Sequence, residues 1–419
     1  MMKKLKEVYK NKDFFDRGVD LTVVMPLVKE IIAEVKNRGD GALLDYTEKF
    51  DGVKFLRQKD LEVRQSEIED AKRNVDEHLL RSIEKASEAI KKFHYRQKRR
   101  LEAEKGEDKG GPEGMFIDNL YVPLDVVGAY VPASYFSTAL MCVIPAKIAG
   151  VRDILVCTPP GKDGAVDSLT LVAAAEFAGA TRIFKVGGAQ AIAALAFGTE
   201  TIPKVQKIVG PGNVYVTAAK MAARAQGVEI DFPAGPSEII IIADKTANPL
   251  FIAADMLAQA EHGAKSKAVL LTDSARIAAE VERQIRAEAG DEEGEQNRIL
   301  FGDDISECIA FANEYAPEHL EIMVREPKEV LKRIKNAGSV FVGDYSPVAA
   351  GDYATGANHV LPTAGYAKSF SGLDVHHFMR RMTVQWLDKE GLAKIKDVVV
   401  KMSRAEGMEK HAQSVEARF

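Results

Sequence analysis

The dipeptide Glu318–His319 is the first place where residue types alone suggest chemistry. It follows Pro317 and precedes an apolar run through Leu320, Ile322 and Val324. A carboxyl and an imidazole side by side can pass protons near neutral pH. The same pair also suits a solvent-facing helix cap or turn. Gln259 and His262 lie three apart on an expected helix and so share a face. They could offer a metal one oxygen and one nitrogen, although polar pairs at this spacing also occur as plain surface. Two Gly-rich turns, Gly187–Gly188–Ala189–Gln190 and Gly210–Pro211–Gly212–Asn213, each open an expected helix. Helix N-terminal amides can hold a phosphate. Neither turn completes the dinucleotide fingerprint, because Tyr215 stands where the third glycine would fall. Both also read as ordinary strand–helix turns.

A thiol nucleophile is a further route for aldehyde oxidation. Cys142 and Cys157 lie in apolar segments without a neighbouring histidine or basic residue, and Cys308 sits on the apolar face of an expected helix. Such cysteines are buried and inert. His411 follows Glu406 near the C-terminus and reads as a tail residue. His359, His376 and His377 have no clear partner in sequence, and His78 and His94 fall in helical N-terminal segments.

Strands and helices must carry these residues. Residues 1–105 read mostly as helix, with apolar spacing in Val23–Val35 and Ile68–Ile90. The basic run Lys91–Arg100 reads as a solvated helix face. A Gly-rich loop covers residues 106–114. Beyond it, short apolar runs alternate with Ala-rich stretches. Strands are expected at Val151–Cys157, Arg182–Val186 and Val205–Val209, with helices at Ser168–Ala178, Ala189–Phe197 and from Asn213 through Arg224. A second series has strands at Glu238–Ala243, Ala268–Thr272 and Val340–Val342, and helices at Phe251–His262 and Ala275–Glu288. Alternation of this kind predicts open parallel sheets covered by helices. The similarity of the two series points to a duplicated Rossmann-like unit. From about Leu373 the chain returns to helix and ends in a polar tail. Ligands are expected beyond the carboxyl ends of the strands.

Composition narrows the function classes. The chain has 419 residues, 46% hydrophobic and 28% charged, with a formal net charge of −5. That balance is globular and gives no reason to expect a nucleic-acid or membrane partner. No apolar run approaches the ~18 residues of a membrane span. The N-terminal stretch lacks the apolar core of a secretory signal. Three widely spaced cysteines suggest reduced thiols and a cytoplasmic protein.

Several segments, taken in order, resemble the histidinol dehydrogenase family. They are FHYRQ, VGGAQAIAALAFGT, GPGNVYVTAAK, PAGPSE, DMLAQAEHG, YAPEHLE, AGDYATGANHVLPTAGYA and EGMEKHA. The resemblance covers nearly the whole chain from Phe93. It implies an NAD-dependent oxidation of L-histidinol to L-histidine through the aldehyde, with one zinc ion per subunit. It assigns Gln259, His262, Asp352 and His411 as zinc ligands and Glu318 and His319 as the catalytic acid–base pair. Ser237, Gln259, His262, His319, Asp352, Glu406 and His411 would bind substrate, and Tyr130, Gln190 and Asn213 would contact NAD. The mixed nitrogen–oxygen set suits zinc, with open positions for the substrate amine and imidazole. The family fold has two Rossmann-like domains with helical N- and C-terminal appendages, in a homodimer that exchanges its tail. The resemblance places the appendage at residues 1–25, one domain at 26–126 plus 235–372, the cofactor-side domain at 127–234 and the tail at 373–419. One departure lies at Ala133–Phe136, where the family's Pro-Gly-Gly turn is shortened and has no glycine; it borders the expected cofactor cleft. Two other readings remain open: a relative oxidising another amino alcohol or polyol, and a non-catalytic zinc-binding homologue.

Overall fold

The computed structural model describes residues 3–8, 14, 17, 20–103, 114–133, 135–289 and 297–419. Strand β1 is Lys3–Lys4 and β2 is Met115–Pro123. A five-stranded sheet contains β3 (Val126–Tyr130), β4 (Asp153–Thr158), β5 (Arg182–Lys185), β6 (Lys207–Val209) and β7 (Glu229–Ile230). Its order is β5-β4-β3-β6-β7, with every pairing parallel. A six-stranded sheet contains β8 (Glu238–Ala243), β9 (Lys267–Thr272), β10 (Asn297–Phe301), β11 (His319–Met323) and β12 (Ser339–Val342). Its order is β1-β10-β9-β8-β11-β12, also parallel throughout. Setting β1 aside, both sheets run third, second, first, fourth, fifth in chain order. The doubled Rossmann-like α/β fold is therefore present in the topology itself. Last, β13 (Met379–Leu387) pairs antiparallel with β2.

Period-two patterning sets the two faces of each sheet. In the larger sheet Ile240, Ile242, Val269, Leu271, Leu320 and Ile322 fill one core. Their neighbours Ile239, Ile241, Ala268, Leu270 and Met323 fill the other. The covering helices start on side-chain caps that satisfy their free amides. Asn248 accepts from the Leu250 amide at the head of the helix Pro249–Ala260, and Asp304 caps the helix Ile305–Tyr315 in the same way.

Three expectations need correction. The resemblance groups residues 26–126 with the larger sheet, but the helices of that stretch pack on the smaller one. Val28, Ile31, Val35 and Leu43 share a core with Tyr130, Leu155 and Phe184, while Ile83, Ile90 and Leu101 join the core under Val127 and Val156. Their apolar faces fit the Ala-rich helices of the smaller sheet, which leave room for large side chains. The N-terminal appendage is not purely helical: Lys3–Lys4 extends the larger sheet beside β10, and Leu5 and Val8 enter its core. The region after Leu373 has a short 3-10 turn, Val375–Phe378, and the strand β13 before its two helices, Lys389–Ala405 and Glu409–Glu416. The loop at 106–113 lies outside the described residues. Among the described residues, no helix is long and apolar enough to cross a membrane.

The smaller sheet depends on one buried ion pair. Lys220 and Asp231 are almost wholly buried, 2.5 Å apart. Lys220 also donates to the Gly210 carbonyl and Asp231 accepts from the Gly210 amide. Removing one partner strands a buried charge. Asp231→Ala should lower unfolding stability of this half by about 3–5 kcal/mol in a denaturant titration. A loss below about 1 kcal/mol would contradict this account.

Candidate active site

The carboxyl ends of the smaller sheet face the amino ends of the larger one. Between them lies a cleft of about 620 Å³ whose walls include Gly212, Asn213, Ser237, His262 and Lys267. The cleft therefore lies at strand carboxyl ends in the smaller sheet, where ligands were expected, and at strand amino ends in the larger. Its physical cause is the connection from β7 to β8. Residues 231–237 leave the end of one sheet and enter the other directly, so the two edges meet.

On the larger-sheet wall, Glu318 and His319 begin β11. Glu318 Oε2 accepts from the backbone amide of Glu238 at 2.9 Å and lies 3.7 Å from His319 Nδ1. The Ser237 hydroxyl also donates to the Glu318 carboxyl. Both side chains are buried. Burial raises the Glu318 carboxyl well above its usual range, and the nearby Glu238 and Asp352 carboxylates add to that rise. Burial lowers His319 to about 3, helped by His262 and His359. The expected turn or helix cap at this position is a buried strand start instead. The Glu238 backbone beside the His319 ring opposes the lowering of that imidazole, although neither ring nitrogen makes a well-aligned hydrogen bond.

Ala316, two residues before Glu318, is left-handed at φ 52°, and Ala364 has φ 55°. A non-glycine residue rarely holds that conformation unless its surroundings fix it. At Ala364 the fixing contact is a 3.0 Å bond from its amide to Glu238 Oε1. At Ala316 the residue before it, Tyr315, is tied through its carbonyl to Arg17 and through its hydroxyl to Glu238.

Gln259 and His262 end the helix Pro249–Ala260 and its following turn, where the His262 amide donates to the Gln259 carbonyl. Gln259 is buried and its Nε2 has no partner. A half-turn of the amide would put an oxygen there instead. His262 opens onto the cleft and is lowered by partial burial. Asp352 ends the short helix Val348–Tyr353, and burial raises it to about 6.

Sequence reasoning left His359 without a partner. Its Nδ1 lies 3.1 Å from the Asp352 carbonyl oxygen, and burial lowers it to about 4, with His262 adding to the shift. That partner is backbone, which side-chain spacing does not reveal. Glu238 and Arg17 were missed as well; an acid opening an aliphatic strand was the available signal.

Across the cleft, Tyr130 ends β3 and its hydroxyl accepts from the Gly188 amide at 3.1 Å. Gln190 is buried in the first turn of the helix Gly188–Phe197. Asn213 caps the helix Val214–Arg224 through its oxygen, which leaves its amide nitrogen for a ligand. A second hollow of about 280 Å³, lined by Ala133, Thr158, Pro159 and Ser168 among others, lies near the end of β4. Ser134 of the shortened loop is outside the described residues.

Two expected site residues are elsewhere. Glu406 and His411 are exposed, on tail helices that pack on each other and on β13. Among the described residues, no three His, Cys, Asp or Glu side chains gather as a metal cage. Of the expected ligands only His262 and Asp352 are both of those types and at this wall. The three cysteines are buried, and burial pushes their thiols up, Cys308 to about 12. They are poor nucleophiles in this state.

A cleft between two Rossmann-like sheets, with a buried carboxyl–imidazole pair on one wall and two helix-opening glycine turns on the other, defines a two-domain α/β enzyme suited to proton transfer. The family model for histidinol dehydrogenase matches residues 16–419. The chain is 46% identical to the histidinol dehydrogenase of Methanosarcina mazei, covering 100% of this chain and 98% of that one. It is 48% identical to that of Archaeoglobus fulgidus, over 96% and 97% of the two chains. The crystal structure of histidinol dehydrogenase from Elizabethkingia anophelis superposes with a TM-score of 0.91, at 39% identity, covering 100% and 97%. The chain belongs to the histidinol dehydrogenase family and is an oxidoreductase.

The depressed His319 gives a stability signature. Unfolded, its imidazole takes a proton below about 6.5; folded, it stays neutral until about 3. Stability from this group is thus full above the unfolded value and is lost as pH falls through that window. Between pH 7 and pH 4, His319→Asn should lose about 2–3 kcal/mol less unfolding free energy than the unaltered chain. Parallel losses in the two proteins would show that His319 is not held neutral.

Proposed function

We propose that this chain catalyses the NAD-dependent four-electron oxidation of L-histidinol to L-histidine through histidinaldehyde, the last oxidation of histidine biosynthesis. The observation that carries this reading is the Glu318–His319 pair buried at the cleft wall near His262 and Asp352, its carboxyl raised and its imidazole lowered by desolvation. Orphaned polar atoms on Gln259 and His319 support a site completed by a ligand. Gln259, His262 and Asp352, with His411 of the partner subunit, would hold one zinc ion. Tyr130, Gln190 and Asn213 would line the NAD side. When bound, zinc would orient the substrate amine and imidazole and draw Glu318 back towards carboxylate, while NAD would accept the hydride of each oxidation.

The residues of this chain handle the protons. His319, neutral at pH 7, takes the hydroxyl proton of histidinol in the first oxidation and that of the hydrated aldehyde in the second. Glu318 takes a proton from the water that adds to the aldehyde between them. Ser237, hydrogen-bonded to Glu318, fixes the direction of that carboxyl. No thiol is needed.

Shared sites are supported by the surface around the tail. Cross-strand partners share a sheet face. In the β2–β13 ribbon, Phe116 opposes Trp386 and Leu120 opposes Met382, with Val384 between the last two on β13. All five are exposed. An apolar face of this kind suits burial by a second copy of the chain, which would carry Glu406 and His411 across to the neighbouring cleft.

Purified protein supplied with zinc should form two NADH per histidinol, and none from simple diols. Absence of NADH would overturn the assignment. Glu318→Gln should impair aldehyde oxidation more than alcohol oxidation, and His319→Asn should impair both, each by about 10²–10⁴-fold at the affected step. Equal damage to both steps by Glu318→Gln would contradict its role in hydration.

The shared site predicts complementation. Asp352→Ala and His411→Ala homodimers should each be nearly inactive. Their heterodimer concentrates both lesions in one site and leaves the other intact, so random mixing restores roughly a quarter of sites. Confirmed exchange without recovered activity would mean that the tail serves its own subunit.

A further inference from the structure

Three elements converge on this wall: the helix bearing Gln259 and His262, strand β11 bearing His319, and the short helix bearing Asp352. A single buried carboxyl pair touches all three. Glu321 lies two residues after His319, on the same face of β11. It is almost completely buried, and its Oε1 accepts from the backbone amide of Val348 at 3.0 Å. Val348 opens the helix that ends at Asp352. Glu321 also hydrogen-bonds through its side chain to Asp255. Asp255 lies four residues before Gln259, so the two share one helix face, and His262 sits in the turn that follows this helix.

We propose that Asp255 and Glu321 are positioning residues that lock the helix of Gln259 and His262 to the helix of Asp352 and so preset the spacing of the metal-binding donors. This inference rests on the zinc reading of the site. Glu321 Oε2 has no N–H or O–H donor in reach, so its hydrogen bond to Asp255 needs a proton held between the two carboxyls. A buried carboxyl in contact with a half-buried one resists a second charge, and one retained proton joins them. Burial raises Glu321 to about 9, with the Asp255 charge adding to the rise, and raises Asp255 to about 6. Near neutral pH Glu321 therefore keeps its proton and donates to the Asp255 carboxylate, while its other oxygen receives the Val348 amide. The tight seating of the Asp352 helix agrees with a fixed spacing. A Cβ on Gly351 would lie 2.6 Å from the Phe341 ring of β12, so that helix cannot drift towards the sheet.

Zinc affinity of the apoprotein, measured by competition with a chromophoric chelator, separates positioning from catalysis. Asp255→Ala keeps a good helix former at a half-buried position but removes the acceptor. It should weaken zinc binding by about 10–100-fold, the usual cost of losing an outer-shell partner, with the apoprotein still folded by circular dichroism. Glu321→Gln retains both an N–H donor towards Asp255 and an acceptor towards Val348, and should bind zinc within about three-fold of the unaltered protein. Unchanged affinity in Asp255→Ala would overturn the proposal. Equal loss in Glu321→Gln would also overturn it, because Glu321 would then act as an ion and not as a proton donor. If the unaltered protein binds no zinc, the metal reading fails first and takes this inference with it.

Discussion

The site is organised around Glu238. This acid opens β8, the central strand of the larger sheet, and is buried there. A buried carboxylate is unfavourable unless charge and hydrogen bonds satisfy it. Arg17 supplies the charge, while the Tyr315 hydroxyl at 3.2 Å and the Ala364 amide at 3.0 Å supply further donors. Arg17 also lies over the Tyr315 ring, 3.4 Å from its centroid. Each donor comes from a different part of the chain: the N-terminal segment, the end of the helix Ile305–Tyr315, and the segment after β12. The backbone amide of the same residue holds Glu318 in place. One desolvated charge thus fixes the start of β11, the strained residues Ala316 and Ala364, and the carboxyl of the acid–base pair.

This arrangement explains how two copies of one topology can do different work. In the smaller sheet the carboxyl ends of the strands run into helix-opening turns, Gly187–Gly188 and Gly210–Asn213, of which Gly212 and Asn213 line the cleft. That is the usual use of such a sheet. Gly210 must be glycine, because a Cβ would lie 2.1 Å from the Tyr130 carbonyl oxygen. In the larger sheet the same topology presents its amino ends. Side chains there come from the first residue of a strand or just before it, at Ser237, Glu238, Glu318 and His319. They are held by neighbouring strands and lie on rigid backbone.

Much of the doubled sheet was legible because β-branched runs such as Glu238–Ala243 alternate with Ala-rich helices, and the local periodicities are strong. Strand β11 was hidden behind Pro317–Glu318–His319, whose polar start suggests a turn. Its alternation, with Leu320 and Ile322 on one face and His319 and Glu321 on the other, was the signal that a strand was there. The packing of residues 26–101 was not legible, since an amphipathic helix does not state which sheet it covers. Within the site, Glu318, His319, Gln259 and His262 were visible as adjacent or helix-spaced pairs. Asp352, Ser237 and His359 have no local partner pattern, because their neighbours arrive from elements more than fifty residues away or through backbone atoms.

Burial also reverses the proton order of the acid–base pair. In water a carboxyl near 4.3 gives its proton up before an imidazole near 6.5, so an isolated pair is carboxylate and imidazolium at mildly acid pH. At this wall desolvation moves the two in opposite directions, and they cross. The favoured state is a neutral acid beside a neutral base, 3.7 Å apart, with no ion pair between them. The neutral imidazole keeps one acceptor nitrogen, and no well-aligned donor occupies it. The charges already nearest Glu318 are the Glu238 and Asp352 carboxylates, which act against its ionisation. A cation near Glu318 would offset the desolvation that raises it, and a bound hydroxyl would offer His319 a well-aligned hydrogen bond. The ionisation of the pair is thereby tied to occupancy of the cleft, and that coupling follows from the same burial that Glu238 and its three donors enforce.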